Sequence, residues 1–355
     1  NQILITGING FVGTNFTNNW SGSHTIYGLD IHQPEKKGVE HIFGWEELGK
    51  IPPVDAIVHL AGKAHDTKNQ SVAQSYFDIN TGLTQKIFDY FLQSEARTFI
   101  FFSSVKAAAD SVPGDVLTED IEPRPVGPYG ESKIKAEQYL LAKRHEADNL
   151  QKNVFILRPC MIHGPGNKGN LNLLYHVVSK GVPWPLGAYE NRRSFCSIDN
   201  ISFVVEQLIV KDGVESGVYH VGDDEPLSTN ELIGLISESV GKKSPIWKLP
   251  KGLMDTAARV GGVLHLPLNK VRLQKLTENY VVSNAKIKQA LGIDKMPVSA
   301  KEGMRKSWRV LGDKAILLFS IEIKYVFVII GLAENIRELG ELNISNISHD
   351  SNISF

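Results

Sequence analysis

Ile3-Leu4-Ile5-Thr6-Gly7-Ile8-Asn9-Gly10-Phe11-Val12-Gly13 decides how the rest of this chain reads. A short apolar run passes straight into glycines at three-residue spacing, and residues 11–19 continue with helical periodicity. Strand, glycine turn and helix stand in the order that a dinucleotide-binding unit requires. The missing Cβ atoms allow a sharp turn at Gly7 and a close approach of backbone to a pyrophosphate near Gly10. Gly13 lets the helix lie tight against the sheet. Asn9, Phe11 and Val12 belong to the same turn and are expected to contact the same ligand.

Outward from this turn, apolar runs at 25–30, 56–60, 98–103 and 154–158 alternate with helically spaced stretches at 71–94 and 130–145. Runs rich in Ile, Val and Phe suit strands covered on both faces. The pattern predicts an α/β fold: a Rossmann-type doubly wound parallel sheet over 1–160, with strand and helix returns from about 190–222. After Arg158-Pro159, Gly164-Pro165-Gly166, residues 181–185 and Pro226 punctuate shorter elements. They predict a smaller α/β substrate-binding cap over 161–308, including a helix over 228–240 with a Ser or Thr N-cap and Glu231 in its first turn. Within 130–145, Ile134, Tyr139 and Leu140 are expected to turn inward, with Lys135, Glu137 and Lys143 facing water.

With 38 basic and 39 acidic residues the chain is close to neutral, which argues against nucleic-acid binding and polybasic membrane attachment. Two cysteines, Cys160 and Cys196, cannot make a disulfide framework or a cysteine zinc site, so no metal is expected and a reducing, cytoplasmic location fits. The opening residues NQILITG lack the basic and apolar segments of a secretory signal. Residues 309–355 form a tail of unknown role. Its apolar segment 315–333 is broken by Glu322 and Lys324, so no stable membrane insertion is expected. The closing Asn-Ile-Ser triplets are taken as incidental.

Candidate chemistry sits at the ends of the strands. Asp30 ends the second run; a carboxylate there accepts ribose hydroxyl protons and repels a 2′-phosphate. Ile31-His32-Gln33 brings no Arg or Lys to that phosphate, which favours NAD over NADP. Leu60-Ala61-Gly62 offers small residues where a loop passes beneath a cofactor. In Tyr129-Gly-Glu-Ser-Lys133 the tyrosine and lysine share one helix face. An ammonium there, helped by a nicotinamide cation, favours the phenolate, and lowering a tyrosine by three units takes about 4 kcal/mol. The strand at 98–103 ends in Ser103 and Ser104, either of which can bond an oxygen that changes between alcohol and ketone. Ser104 has the better motif position. Asn80, inside the preceding helix, can kink it or hold a water.

In this order the glycine turn, Asp30, the small strand end, Ser104, Tyr129 and Lys133 resemble the extended short-chain dehydrogenase/reductases of the NAD-dependent epimerase/dehydratase family, over roughly residues 2–308. The resemblance implies bound NAD, a Ser104–Tyr129–Lys133 active site supported by Asn80, and a homodimer packed through two helices. It places NAD contacts at Gly7, Asn9, Gly10, Phe11, Val12, Gly13, Asp30, Leu60, Ala61, Gly62, Ser103, Tyr129 and Lys133. The family's usual adenine-contacting acid is absent from His41-Ile42-Phe43-Gly44.

The stretch from Leu157 to Gly166 is similar to the nucleotide-sugar branch, with His163 where tyrosine is usual; His163 is read as a pocket wall. By the same likeness Asn170 and Leu171 contact the nucleotide. Arg193 holds the diphosphate, and Arg272 is a second candidate. Val105-Lys106-Ala107 carries no carboxylate after Ser104, which argues against 4,6-dehydration. Likeness to a UDP-glucose 4-epimerase-like subgroup then implies NAD-dependent epimerisation at C4 of a UDP-sugar through a 4-keto intermediate. The alternatives are an NAD(P)H-dependent 4-keto reductase of a nucleotide 6-deoxy sugar in surface-polysaccharide synthesis and, from another class, an inactive NAD-binding sensor or scaffold.

Overall fold

The computed structural model describes residues 1–63, 72–167, 170–263 and 269–309. They fall into two units. Of the described residues, the first unit holds those of Asn1–Asn167, Arg193–Pro226 and Tyr280–Ser307; the second holds those of Lys168–Arg192 and Leu227–Asn279, with Trp308 and Arg309. Tyr280–Ser307, expected in the cap, is therefore part of the first unit. The apolar segment 315–333 and the Asn-Ile-Ser triplets lie outside the described residues. Among the described residues no helix is long and apolar enough to cross a membrane.

In chain order the first unit runs β1 (Gln2–Thr6), α1 (Phe11–Trp20), β2 (Thr25–Leu29), β3 (His41–Phe43), β4 (Ala56–His59) and α2 (Ala73–Tyr76). A π-helical turn (Phe77–Gly82) leads into α3 (Leu83–Gln93), then β5 (Thr98–Phe102), α4 (Val105–Ala108), α5 (Gly127–Ala142), α6 (Arg144–Asn149), β6 (Asn153–Pro159) and β7 (Met161–His163). The chain enters the second unit as α7 (Asn170–Ser179) and returns as β8 (Phe195–Ser197), α8 (Ile198–Val210) and β9 (Gly217–Val221). Then come α9 (Thr229–Val240), α10 (Lys251–Val263), α11 (Lys270–Thr277), α12 (Ala285–Leu291) and α13 (Ala300–Arg309).

The main sheet has the order β3-β2-β1-β4-β5-β6-β9, with every neighbouring pair parallel. This is the Rossmann-type sheet expected from the alternating runs. The chain moves one way through β2 and β3 and the other way from β4 onward, so the strand order reverses between β1 and β4. In such sheets ligands bind at the carboxyl ends of the strands beside the reversal. Thr6 pairs with His59, so Gly7 and Leu60 leave the sheet side by side.

Period-two alternation explains the sandwich. Ile3 and Ile5 point to one core with Phe16 and Trp20 of α1 and Ile201, Val204 and Leu208 of α8. Leu4 points to the other, with Ile87, Phe88 and Phe91 of α3 and Ala136 and Leu140 of α5. A strand covered on both sides must be apolar at consecutive positions, which is what made β1, β4 and β5 readable.

In the second unit Ser228 caps α9: its hydroxyl accepts the Glu231 N–H at 3.0 Å while the Glu231 carboxylate accepts the Ser228 N–H at 2.9 Å. Leu186, Met254, Ala258 and Leu273 form a small core of their own.

Phe99 lies on β5, fully buried, with ring centroids 5.1 Å from Phe88 and 5.2 Å from Phe91. Phe99→Ala is expected to cost about 3–5 kcal/mol, the range for a large aromatic removed from a close-packed core. Denaturant titration checks this; a midpoint unchanged from the parent would contradict the packing described.

Candidate active site

The glycine turn is tight because backbone crowds it. Gly7 has φ +68°, and a Cβ there would come within 2.8 Å of the Ala61 Cα. A Cβ on Gly13 would meet the Ile8 Cα at 2.7 Å. Gly10 is the N-cap of α1 and supplies no capping side chain, so the opening N–H groups of the helix suit an anion. Asp30 follows β2. One carboxylate oxygen accepts the Asn9 N–H at 3.1 Å and the other the Ile31 N–H at 2.8 Å, leaving acceptor capacity on both. A cradle with no room for side chains, an uncapped helix start and a carboxylate fit the pyrophosphate and ribose of NAD.

Sequence reasoning missed Lys36. Its ammonium returns to the turn, donating to the Ile8 carbonyl at 2.5 Å and to the Thr14 hydroxyl at 3.0 Å. Burial lowers its pKa and the nearby Asp30 opposes that. It ties the loop after β2 to both sides of the glycine turn, a connection that its distance from Asp30 in sequence does not reveal.

Behind the turn runs a one-way chain of hydrogen bonds. The Ala61 N–H donates to the Thr6 hydroxyl at 3.0 Å, and Thr6 Oγ1 lies 2.6 Å from His59 Nδ1. His59 Nε2 lies 2.9 Å from Thr84 Oγ1, which donates to the Asn80 carbonyl at 2.7 Å. Because Thr84 donates onward, it must accept from His59, so Nε2 carries the proton and Nδ1 accepts from Thr6. Burial, helped by the Lys133 charge, pushes His59 down to about 3. The imidazole is neutral.

Asn80 sits in the π-helical turn, fully buried. Its side chain accepts the Lys63 N–H at 2.7 Å and donates to the Ser132 hydroxyl at 3.0 Å. Ser132 in turn donates to the Tyr129 carbonyl at 2.9 Å. Asn80 thus joins the loop after β4 to the first turns of α5. Gly62 leaves room at that junction: a Cβ would stand 2.9 Å from Asn80 Oδ1 and 3.1 Å from Lys133 Nζ, and those side-chain ends would have to shift.

A cavity of about 430 Å³ opens here in the first unit, lined by Phe11, Val12, Leu60, Gly62, Ser103, Ser104, Tyr129 and Lys133 among others. Lys63, Lys106 and Arg193 also line it, and among the described residues no carboxylate does. Ser104 is the N-cap of α4 and is hydrogen-bonded to the Tyr129 phenol. Burial pushes that phenol above its usual range; the Ser104 bond opposes it, and Tyr76 adds to the rise. The expected lowering by Lys133 is not what the chain's own groups produce. Lys133 instead donates to the Phe102 carbonyl at 2.8 Å. Its own pKa is brought to about 8 by burial, against the pull of Glu137.

Glu137 corrects the reading of α5. Expected in water, it is fully buried. It pairs with Arg158, whose Nε lies 3.0 Å and Nη2 2.5 Å from the carboxylate, and it accepts from the Ser103 hydroxyl. Ser103 therefore turns to Glu137 and Ser104 to Tyr129. A stripe at 129, 133 and 137 could have pointed to Glu137, since four-residue steps keep to one helix face.

Arg193 lines the cavity, whereas Asn170 and Leu171 open α7 and Arg272 lies in α11, all three in the second unit. His163 is not a pocket wall. It is buried, 2.9 Å from the Ser307 hydroxyl and 3.4 Å from an Asp223 carboxylate oxygen, so that it ties β7 to α13.

The NAD dependent epimerase/dehydratase family matches residues 3–222. UDP-glucose 4-epimerase from Vibrio cholerae is 31% identical over 269 residues, covering 70% of this chain and 78% of the relative. N-acetyl-alpha-D-glucosaminyl-diphospho-ditrans,octacis-undecaprenol 4-epimerase from Escherichia coli O157:H7 is 27% identical, covering 81% of this chain and 85% of its own. The solved structure of MoeE5 in complex with UDP-glucose and NAD superposes with a TM-score of 0.68 at 18% identity, over 89% of this chain and 100% of that one. At that identity the likeness carries the fold.

Two measurements follow from the geometry. Lys36→Met is expected to weaken NAD binding about 5–10-fold, the scale of one lost charge-assisted hydrogen bond at a positioning site, in a fluorescence titration. His59 is lowered in the folded state relative to its unfolded value of about 6.5, so below that pH the unfolded chain takes up a proton that the folded one refuses. Stability falls between pH 6.5 and 3 on the order of 1 kcal/mol per pH unit from this group. His220, pushed to about 4 mainly by burial, acts in the same direction. His59→Asn should flatten the His59 share of the slope in urea melts at stepped pH; an unaltered slope would refute the assignment.

Proposed function

The chain belongs to the NAD dependent epimerase/dehydratase family, and from that membership we propose that it epimerises C4 of a UDP-linked hexose through a 4-keto sugar. The observation that carries the reading is the meeting of Ser104, Tyr129 and Lys133 on one cavity whose charged lining, among the described residues, is cationic. A nucleotide sugar and a dinucleotide both bring diphosphates, and Lys63, Lys106, Lys133 and Arg193 answer that charge. The names of the curated relatives support a C4 epimerisation. The residue pair after Ser104, Val105-Lys106, provides no acid for dehydration, and Lys106 is engaged with the Asp110 carbonyl at 2.8 Å.

Gly7, Gly10, Gly13 and the start of α1 would hold the pyrophosphate of NAD, and Asp30 would accept from its ribose hydroxyls. When bound, NAD would supply the hydride chemistry at the sugar C4. The proton is the task of the chain. Tyr129 takes the C4 hydroxyl proton at its phenolic oxygen and later gives it back. Ser104 holds the same sugar oxygen and orients it toward Tyr129. Burial of the phenol opposes its ionisation, so the phenolate depends on positive charge close by. At about 8, Lys133 remains mostly protonated at neutral pH and supplies that charge.

Purified protein should interconvert UDP-glucose and UDP-galactose, or their N-acetyl forms, with no added NADH. Tyr129→Phe should reduce turnover by at least about 100-fold while NAD binding persists. Stoichiometric loss of NADH or NADPH with a 4-keto-6-deoxy sugar, and no interconversion, would replace this reading by the reductase.

A further inference from the structure

Directly behind Lys133 lies a charged pair that the proton transfer does not use. Glu137 and Arg158 are both buried, and the guanidinium grips the carboxylate through Nε and Nη2. The third partner of the carboxylate is the Ser103 hydroxyl, from the residue that precedes Ser104. Lys133 stands one helical turn before Glu137, also buried, with its ammonium on the carbonyl of Phe102. The carboxylate is thus held directly by Arg158 of β6 and by Ser103 at the end of β5, and the lysine of the site lies one helical turn away on the same helix face. A buried ion pair seldom stabilises a fold more than a well-packed apolar pair would. Its place beside the reacting groups calls for another role.

We infer that Glu137 is a positioning residue of the site, whose buried carboxylate keeps the Lys133 ammonium charged and fixes the strand end from which Ser104 reaches Tyr129. This inference rests on the proton-transfer reading given above. The Arg158 guanidinium is bonded to the Glu137 carboxylate, and the Lys133 ammonium lies within its electrostatic reach. Without it, two cations share a buried space unbalanced, and the one able to shed a proton is Lys133. The remaining groups around it cannot substitute. His59 on β4 is neutral, as is His220, paired in register with Arg158 on β9. Glu119 is occupied with the His220 N–H at 2.8 Å. Tyr129 is a phenol, and Lys63 and Lys106 across the cavity are cations. Glu137 also raises the Lys133 pKa against the effect of burial.

The test reads Lys133 itself. In full-length protein saturated with NAD and free of sugar, 13Cε-labelled lysine is titrated by NMR, with the Lys133 resonance assigned through Lys133→Arg. The parent should titrate near pH 8. Glu137→Gln should move the midpoint down by about one unit or more. The alkaline limb of kcat/KM should move with it, and Glu137→Asp should recover part of the shift. Glu137→Gln alone strands a buried guanidinium, so Glu137→Gln/Arg158→Met serves as the variant that folds without an unpaired charge; it should shift the midpoint in the same direction, by less. Cooperative melting of either variant with an unmoved Lys133 midpoint would reduce the pair to a structural strut and overturn the inference. Because the titration needs no sugar, it stays readable whatever substrate the enzyme takes.

Discussion

A side chain has no room where β1 meets the loop after β4, and most of the site follows from that. The backbone of Gly7 lies so close to that of Ala61 that a single added carbon would overlap it. The same crowding recurs at Gly13 against Ile8 and at Gly62 against Asn80 and Lys133. These contacts bring the start of α1, the end of β4 and the middle of α5 to one crevice. The parallel sheet places that crevice where its strand order reverses, so fold and site are one constraint seen at two scales.

The strands were legible because a two-sided sheet demands uninterrupted apolar runs, and β1, β4, β5 and β6 all meet that demand. The glycine turn and Asp30 were legible because their spacing is local. Tyr129 and Lys133 were legible for the same reason, four residues apart on one helix. Glu137 was not. A glutamate among helix residues ordinarily faces water, and only Arg158, on a different strand, makes its burial tolerable. Lys36 escaped notice because a loop's course cannot be inferred from its composition. His163 carried a motif position that suggested the pocket, yet its partners Ser307 and Asp223 come from remote parts of the chain. Asn80 was singled out for its polarity, but bonds to Lys63 and Ser132 give it its place in the π-helical turn.

Buried charge is distributed with some economy around α5. Its inner face presents Lys133 and Glu137, and its outer part uses a different set: Lys143 lies 2.7 Å from the Asp89 carboxylate, which also accepts from the Tyr139 hydroxyl at 2.6 Å. The outer pair is only half-buried and worth little to stability. The inner charges are buried, where water and salt screen them less. Similar residue types on one helix therefore have different physical weight, set by depth alone.

The polar chain behind the glycine turn has peptide groups at both ends, the Ala61 N–H and the Asn80 carbonyl. Neither end exchanges a proton at ordinary pH, and the imidazole between them stays neutral. A buried row of hydroxyls and a histidine has the look of a conduit to bulk water. Sealed at both termini, it is a tie-rod. That row therefore holds the loop after β4 to the π-helical turn and relays no proton.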